Sequence, residues 1–211
     1  MNTESLITDL KQKVEELVKR GGDLRKETSR LVSEAATQVH SAKEGLTGVV
    51  KAVAEGAVSG ARQSVPEESA SVLNQVVGGV TDGLVRSAQA LKLTLEESSS
   101  KGIQFAKEDL AKIGQDFRGL GTNTAEIFTK AASDLGGHAK EQAATLTAHA
   151  KQTLQAAWPP LEAALSAAQH DPVKLGREAV GAGASAARQA AGVLFSELGV
   201  LIQKAGEKLR H

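Results

Sequence analysis

Asp134, His138 and Glu141 are spaced i, i+4 and i+7, and His149 stands eleven residues beyond His138. On one continuous helix that spacing lines two imidazoles and two carboxylates along a single face. Such a face can ligate a divalent cation or pass a proton between neighbours. It is also what a solvated helix carries when it is laced with i,i+4 charge pairs, and that plainer reading is the expectation. His40, His170 and His211 have no matching carboxylate or histidine cluster.

Other chemistry is fainter still. Gly181-Ala182-Gly183-Ala184-Ser185 has some likeness to a phosphate-cradling loop, but it follows no predicted strand and lacks the full spacing. Gly176, Ala179, Gly183, Ala187 and Ala190 read better as a strip of small residues on which another helix can pack closely. Gly56-Ala57-Val58-Ser59-Gly60 does not have nucleophile-elbow spacing. The chain has no cysteine, so thiolate chemistry and disulfides are excluded. The expectation is a non-catalytic protein with no cofactor and no metal.

The elements that would position these groups are legible in the apolar pattern. Counting from Leu73 in steps of 11, the positions at +0, +4 and +7 run to Leu209 without one charged residue, in a chain that is 24% charged. They include Leu84, Leu95, Leu110, Phe117, Phe128, Leu135 and Leu146. Eleven residues over three turns is 3.67 per turn, so the stripe keeps to one side of a long, nearly straight helix. A first block with the same period runs from Leu24 to Ser64, and the phase slips by five residues across Val65-Pro66. Pro66 with Glu67 and Glu68 makes a good helix start, with acids near the positive end of the dipole. Ahead of both blocks, Leu6, Ile7, Leu10, Val14, Leu17 and Val18 predict a short amphipathic helix over Thr3 to Arg20. Gly21-Gly22 stops it and Asp23 can cap the next helix.

The predicted division is an N-terminal helical segment, 1–65, and a C-terminal one, 66–211, in one elongated domain. Breaks are expected near 98–102, 119–123, 158–160 and 170–172. They rest on Ser98-Ser99-Ser100-Lys101-Gly102, on Gly119 to Asn123 with a capping box from Asn123 to Glu126, on Trp158-Pro159-Pro160, and on His170-Asp171-Pro172. No segment alternates at period two over strand length. The predicted fold is all-α: long amphipathic helices, arranged as an elongated antiparallel bundle or lying extended on a surface.

Aromatics make up 2% of the chain, so any core is built of Ala, Leu and Val. Formal net charge is zero and the basic residues are interspersed with acidic ones, which argues against a nucleic-acid binder. No apolar run approaches the roughly 20 residues of a membrane span, and the N-terminus lacks the features of a signal peptide. A cytoplasmic protein, peripheral at most to a membrane or granule, is the expectation.

Ala139-Lys140-Glu141-Gln142-Ala143-Ala144-Thr145-Leu146 and Ser41-Ala42-Lys43-Glu44-Gly45-Leu46 resemble the 11-residue repeats of group 3 late-embryogenesis-abundant proteins. The period is also similar to that of exchangeable apolipoproteins and lipid-droplet coat proteins. Size, alanine content and lack of cysteine are similar to bacterial phasins. The resemblance implies a protein that coats or stabilises an apolar surface: a membrane, a lipid droplet or a polyester granule. The bundle reading implies a scaffold instead, with a helical protein partner or a second copy of the chain.

Overall fold

The computed structural model describes residues 3–39, 45–64, 68–172 and 175. Among them are seven α-helices and no strand: α1 (Thr3–Arg20), α2 (Leu24–Gln38), α3 (Gly45–Ser64), α4 (Ser69–Ser100), α5 (Lys107–Arg118), α6 (Leu120–Leu135) and α7 (Gly137–His170). No helix among the described residues is long and apolar enough to cross a membrane.

The chain folds into two compact units, each assembled from separated stretches: residues 1–87 with 112–159, and residues 88–111 with 160–211.

The first unit is organised around α3. Leu46, Val49, Val50, Ala52, Val53, Ala54, Ala57 and Ala61 of this helix are all buried, and Lys51, Glu55, Arg62 and Gln63 are exposed along it. A helix apolar on nearly every side belongs inside a core. Helices α1, α2 and α6 pack against it. α1 turns Leu6, Leu10, Val14, Leu17 and Val18 inward. It ends where Gly21 and Gly22 adopt φ of +74° and +103°, the left-handed conformation that glycine reaches without steric cost. Asp23 then caps α2, its carboxylate accepting from the Lys26 amide at 3.0 Å.

In the second unit the C-terminal part of α4 buries Ala88, Leu91, Thr94 and Leu95, and α5 buries Leu110. α4 stops at Ser100, as the serine-rich segment predicts. The Ile103 amide reaches back to the Ser98 carbonyl at 2.9 Å and Gly102 takes φ +74°. The end of α7 contributes Leu161, Ala164, Leu165 and Ala168 to the interior of this unit.

Four boundaries differ from the sequence reading. The first periodic block is two helices, since α2 ends at Gln38 and α3 begins at Gly45. The turn expected over 119–123 is one residue, Gly119; no side-chain cap bond forms there, and Asn123 bonds Thr47 instead of capping a helix. An unexpected break falls at Gly136-Gly137, both at positive φ, because the stripe keeps its phase through the turn and hides it. The expected break at 158–160 is absent, and α7 runs through Trp158-Pro159-Pro160. The two prolines leave the Gln155 and Ala156 carbonyls without an intrahelical donor. All four residues are exposed, so water can serve those carbonyls and the helix continues. The boundary between the compact units falls between the two prolines.

Candidate functional site

The break at Gly136-Gly137 dismantles the constellation of acids and histidines. Asp134 lies on α6 and His138, Glu141 and His149 on α7, so the helical spacing does not place Asp134 on their face. What remains is an exposed His138–Glu141 pair, Nδ1 to Oε2 at 3.0 Å. The Asp134 backbone carbonyl accepts from the Arg62 guanidinium of α3. Among the described residues no group of His, Asp and Glu could hold a metal ion.

The apolar stripe, by contrast, is drawn together. From Leu73 to Ala168 every position of the 11-residue pattern is buried or half-buried except Gly102. Leu84, Leu95, Leu110, Phe117 and Phe128 are buried, and Leu135 and Leu146 are half-buried. The first block behaves alike: Leu24, Thr28, Leu31, Ala35, Val39, Leu46, Val50, Val53, Ala57 and Ala61 are all buried. Ile103 is the only large apolar side chain exposed among the described residues, at 42%. Removing an aliphatic or aromatic side chain from water yields about 1.5–3 kcal/mol, so the folded chain holds its stripe firmly inward. The small-residue strip of Gly176, Ala179, Gly183, Ala187 and Ala190 lies outside the described residues.

Close helix packing does occur, at glycines the sequence reading passed over. On α3, a Cβ at Gly56 would overlap the Lys11 carbonyl oxygen, and one at Gly60 would stand 2.7 Å from Val18 Cβ and 2.8 Å from the Glu15 carbonyl oxygen. On α4, a Cβ at Gly79 would come 2.5 Å from the Arg25 carbonyl oxygen, and one at Gly83 2.8 Å from that of Ser29. The two seams are built alike. Each uses a Gly-x-x-x-Gly pair, and the α2 contacts at Arg25, Ser29 and Val32 lie fourteen positions after those at Lys11, Glu15 and Val18 of α1. In both, the two helices run in the same direction. Such spacing lets backbones touch, so that van der Waals contact with the main chain replaces bulky side chains. The signal was present in the sequence as two Gly-x-x-x-Gly pairs, Gly56–Gly60 and Gly79–Gly83.

Ion pairs fix the register of each seam. Lys11 Nζ meets Glu55 Oε2 at 2.8 Å across α1–α3, where Gln63 Nε2 also donates to Glu15 at 3.1 Å. Lys19, Ser59 and Gln63 together hold the Glu15 carboxyl below its ordinary value. Across α2–α4, Arg25 grips Asp82 with two bonds, Nε to Oδ2 at 2.7 Å and Nη2 to Oδ1 at 3.1 Å. That bond raises the guanidinium pKa further. Being exposed, these pairs add at most about 1 kcal/mol each, and they select an alignment more than they stabilise it.

α6 also packs on α3, where the Arg62 guanidinium donates to the Asp134 carbonyl. On α6, Phe128, Ala131 and Ala132 are buried, and a Cβ at Gly121, on the same face as Phe128, would stand 3.1 Å from the Lys151 carbonyl oxygen of α7. Asn123 Nδ2 donates to Thr47 Oγ1 over a long 3.3 Å. Thr124 Oγ1 and Asp116 Oδ2 are buried without a hydrogen-bond partner. Asp116 lies against Gly45, the first residue of α3, where a Cβ would sit 2.7 Å from Oδ1. Burial pushes its carboxyl up, and Lys112 opposes this only in part.

The chain belongs to the DUF6781 family, a family of unknown function, whose profile matches residues 2–203. No curated protein and no solved structure matches it.

Proposed function

We propose that this DUF6781 protein is a non-catalytic amphipathic-helix protein that stores an apolar stripe in its fold and spreads it on an apolar surface. Membranes, lipid droplets and polyester granules are surfaces of the right chemistry, and a cytoplasmic setting suits a chain without cysteine. One observation carries the reading. The 11-residue phase is kept from Leu73 through the ends of α4, α5 and α6, although the helices turn there. Packing within a folded unit does not need one phase across its turns, because each helix meets its neighbours separately. A chain laid out on a surface does need it, so that every segment faces the same way. A second reading is a helical scaffold, and the near-complete burial of α3 and of the stripe favours it.

Far-UV circular dichroism and flotation with phosphatidylcholine vesicles or triglyceride emulsions separate the two. Coating predicts co-flotation with helix content kept and a broadened or shifted melt. A sharp melt indifferent to either surface, with no co-flotation, sinks the coating reading and leaves the scaffold. Charging Phe117 and Phe128 is a poor first test because both are buried, and the variant would unfold.

A further inference from the structure

The turn between α4 and α5, residues 101–106, carries Ile103, the one large apolar side chain exposed among the described residues, and two positions on the half-buried Phe105. A single exposed isoleucine is ordinary on a protein surface. This one is set apart by the turn that holds it. The Gly102 amide, at φ +74°, donates to the Ser99 carbonyl at 3.0 Å, and the Ile103 amide donates to the Ser98 carbonyl at 2.9 Å. That pair of bonds is the Schellman arrangement, in which the residue after the glycine commonly closes on an apolar side chain in the last turn of the helix. Here the places it would close on hold Ser98 and Glu97, so the chain offers Ile103 no apolar partner in that turn.

The backbone of the same turn is already bonded internally. The Lys101 amide is shared between the Glu97 and Ser98 carbonyls at 3.2 and 3.1 Å, which leaves none of the amides from 101 to 103 free. Beyond the apolar pair, the Ala106 carbonyl accepts from the Leu110 amide at 3.2 Å. A turn entering hydrocarbon is penalised for each free amide it carries, and here that cost is reduced in advance. Lys101 and Lys107 bracket Ile103 and Phe105, and their long stems let the ammonium groups stay among headgroups while the apolar pair goes deeper.

Two side chains fall well short of the roughly 800 Å² per partner that a stable protein interface buries. A lipid surface needs no matching patch and accepts apolar side chains singly. Four carboxylates, Glu96, Glu97, Glu108 and Asp109, accompany the two lysines, and Lys101 is paired with Glu97 at 2.6 Å, so no basic field selects an anionic membrane.

We propose that the α4–α5 turn is where the folded chain first enters a zwitterionic lipid surface, Ile103 leading and Phe105 following. Gly102 is the one exposed stripe position between Leu73 and Ala168, so first contact is made where the stripe already reaches the outside. The proposal rests on the coating function above and places its starting point on the chain.

The test uses the full chain and phosphatidylcholine vesicles. Ile103→Ser removes exposed apolar surface and leaves the backbone bonds of the turn in place, so its melting temperature should match the parent's. Its affinity in flotation should fall about tenfold, and Ile103→Leu should restore it. The chain has no cysteine, so Ile103→Cys can carry a single polarity-sensitive dye. That dye should shift to the blue on binding, and further than the same dye on His138→Cys, an exposed position of α7. Parent-like binding by Ile103→Ser overturns the proposal and leaves the coating function standing. Should Ile103→Ser melt lower than the parent, the dye decides, and no blue shift at 103 overturns the proposal. Binding confined to vesicles containing phosphatidylglycerol overturns it too, since the contact would then be electrostatic. A parent chain that floats with neither vesicles nor emulsions removes the coating function itself, and this proposal with it.

Discussion

Gly60 and Val18 stand so close across the α1–α3 seam that a methyl group at position 60 would lie 2.7 Å from Val18 Cβ. Alanine is the better helix former by about 1 kcal/mol, yet here it must displace a helix. Gly60→Ala is therefore expected to destabilise by about 1–3 kcal/mol, lowering the melting temperature by about 2–4 °C per kcal/mol for a chain of this size. Gly83→Ala, where Cβ would meet Val32 Cβ at 2.8 Å, is expected to act alike. A rise in melting temperature for both would mean that the seams are looser than described.

Phe128 is the largest side chain fully removed from solvent among the described residues. Phe128→Ala should cost about 3–5 kcal/mol, seen as a lower urea midpoint. Truncating the half-buried Leu146 to alanine should cost markedly less. Similar losses at the two positions would contradict their difference in burial.

Asp116 gives a pH signature. Its folded-state pKa is raised by burial, so between the unfolded value and the folded one the native state binds more protons. Stability from this group is therefore full at low pH and declines as pH rises through that window. Asp116→Asn should flatten the decline and raise the melting temperature at neutral pH. A variant that is less stable than the parent at pH 7 would show that the ionised carboxylate is held by partners.

Pro159 and Pro160 interrupt the hydrogen-bond ladder of α7 at an exposed site. Pro159→Ala should therefore stabilise, by up to about 3 kcal/mol on helix propensity. Urea denaturation checks the sign directly; an unchanged midpoint would mean that the helix at 159 contributes nothing to the folding equilibrium.

The fold class was legible because an uncharged stripe recurring every 3.67 residues fits a helix and not the two-residue period of a strand, and the burial of Leu84, Leu95 and Phe128 follows that stripe. Local stops were legible where chemistry dictates them, as at Gly21-Gly22, Asp23 and Gly102. Gly136-Gly137 escaped because the spacing of Leu135 and Ala139 looks helical across it. Pro159 misled for the opposite reason: its cost depends on whether the orphaned carbonyls reach water, which sequence does not record. The seams at Gly56–Gly60 and Gly79–Gly83 are a long-range property. Glycine pairs at that spacing signal close approach, but the helix that approaches is chosen by the register of Lys11 with Glu55 and Arg25 with Asp82.

The central place of α3 has a consequence for synthesis. Its partner α1 precedes it in the chain, but α6 ends only at Leu135, roughly 70 residues after α3 ends at Ser64. At about 5–20 residues per second, a ribosome takes about 4–14 s to make that stretch. Throughout that time one flank of the most apolar helix in the first unit is without its covering, a window in which a nascent chain invites a chaperone or a neighbouring copy of itself.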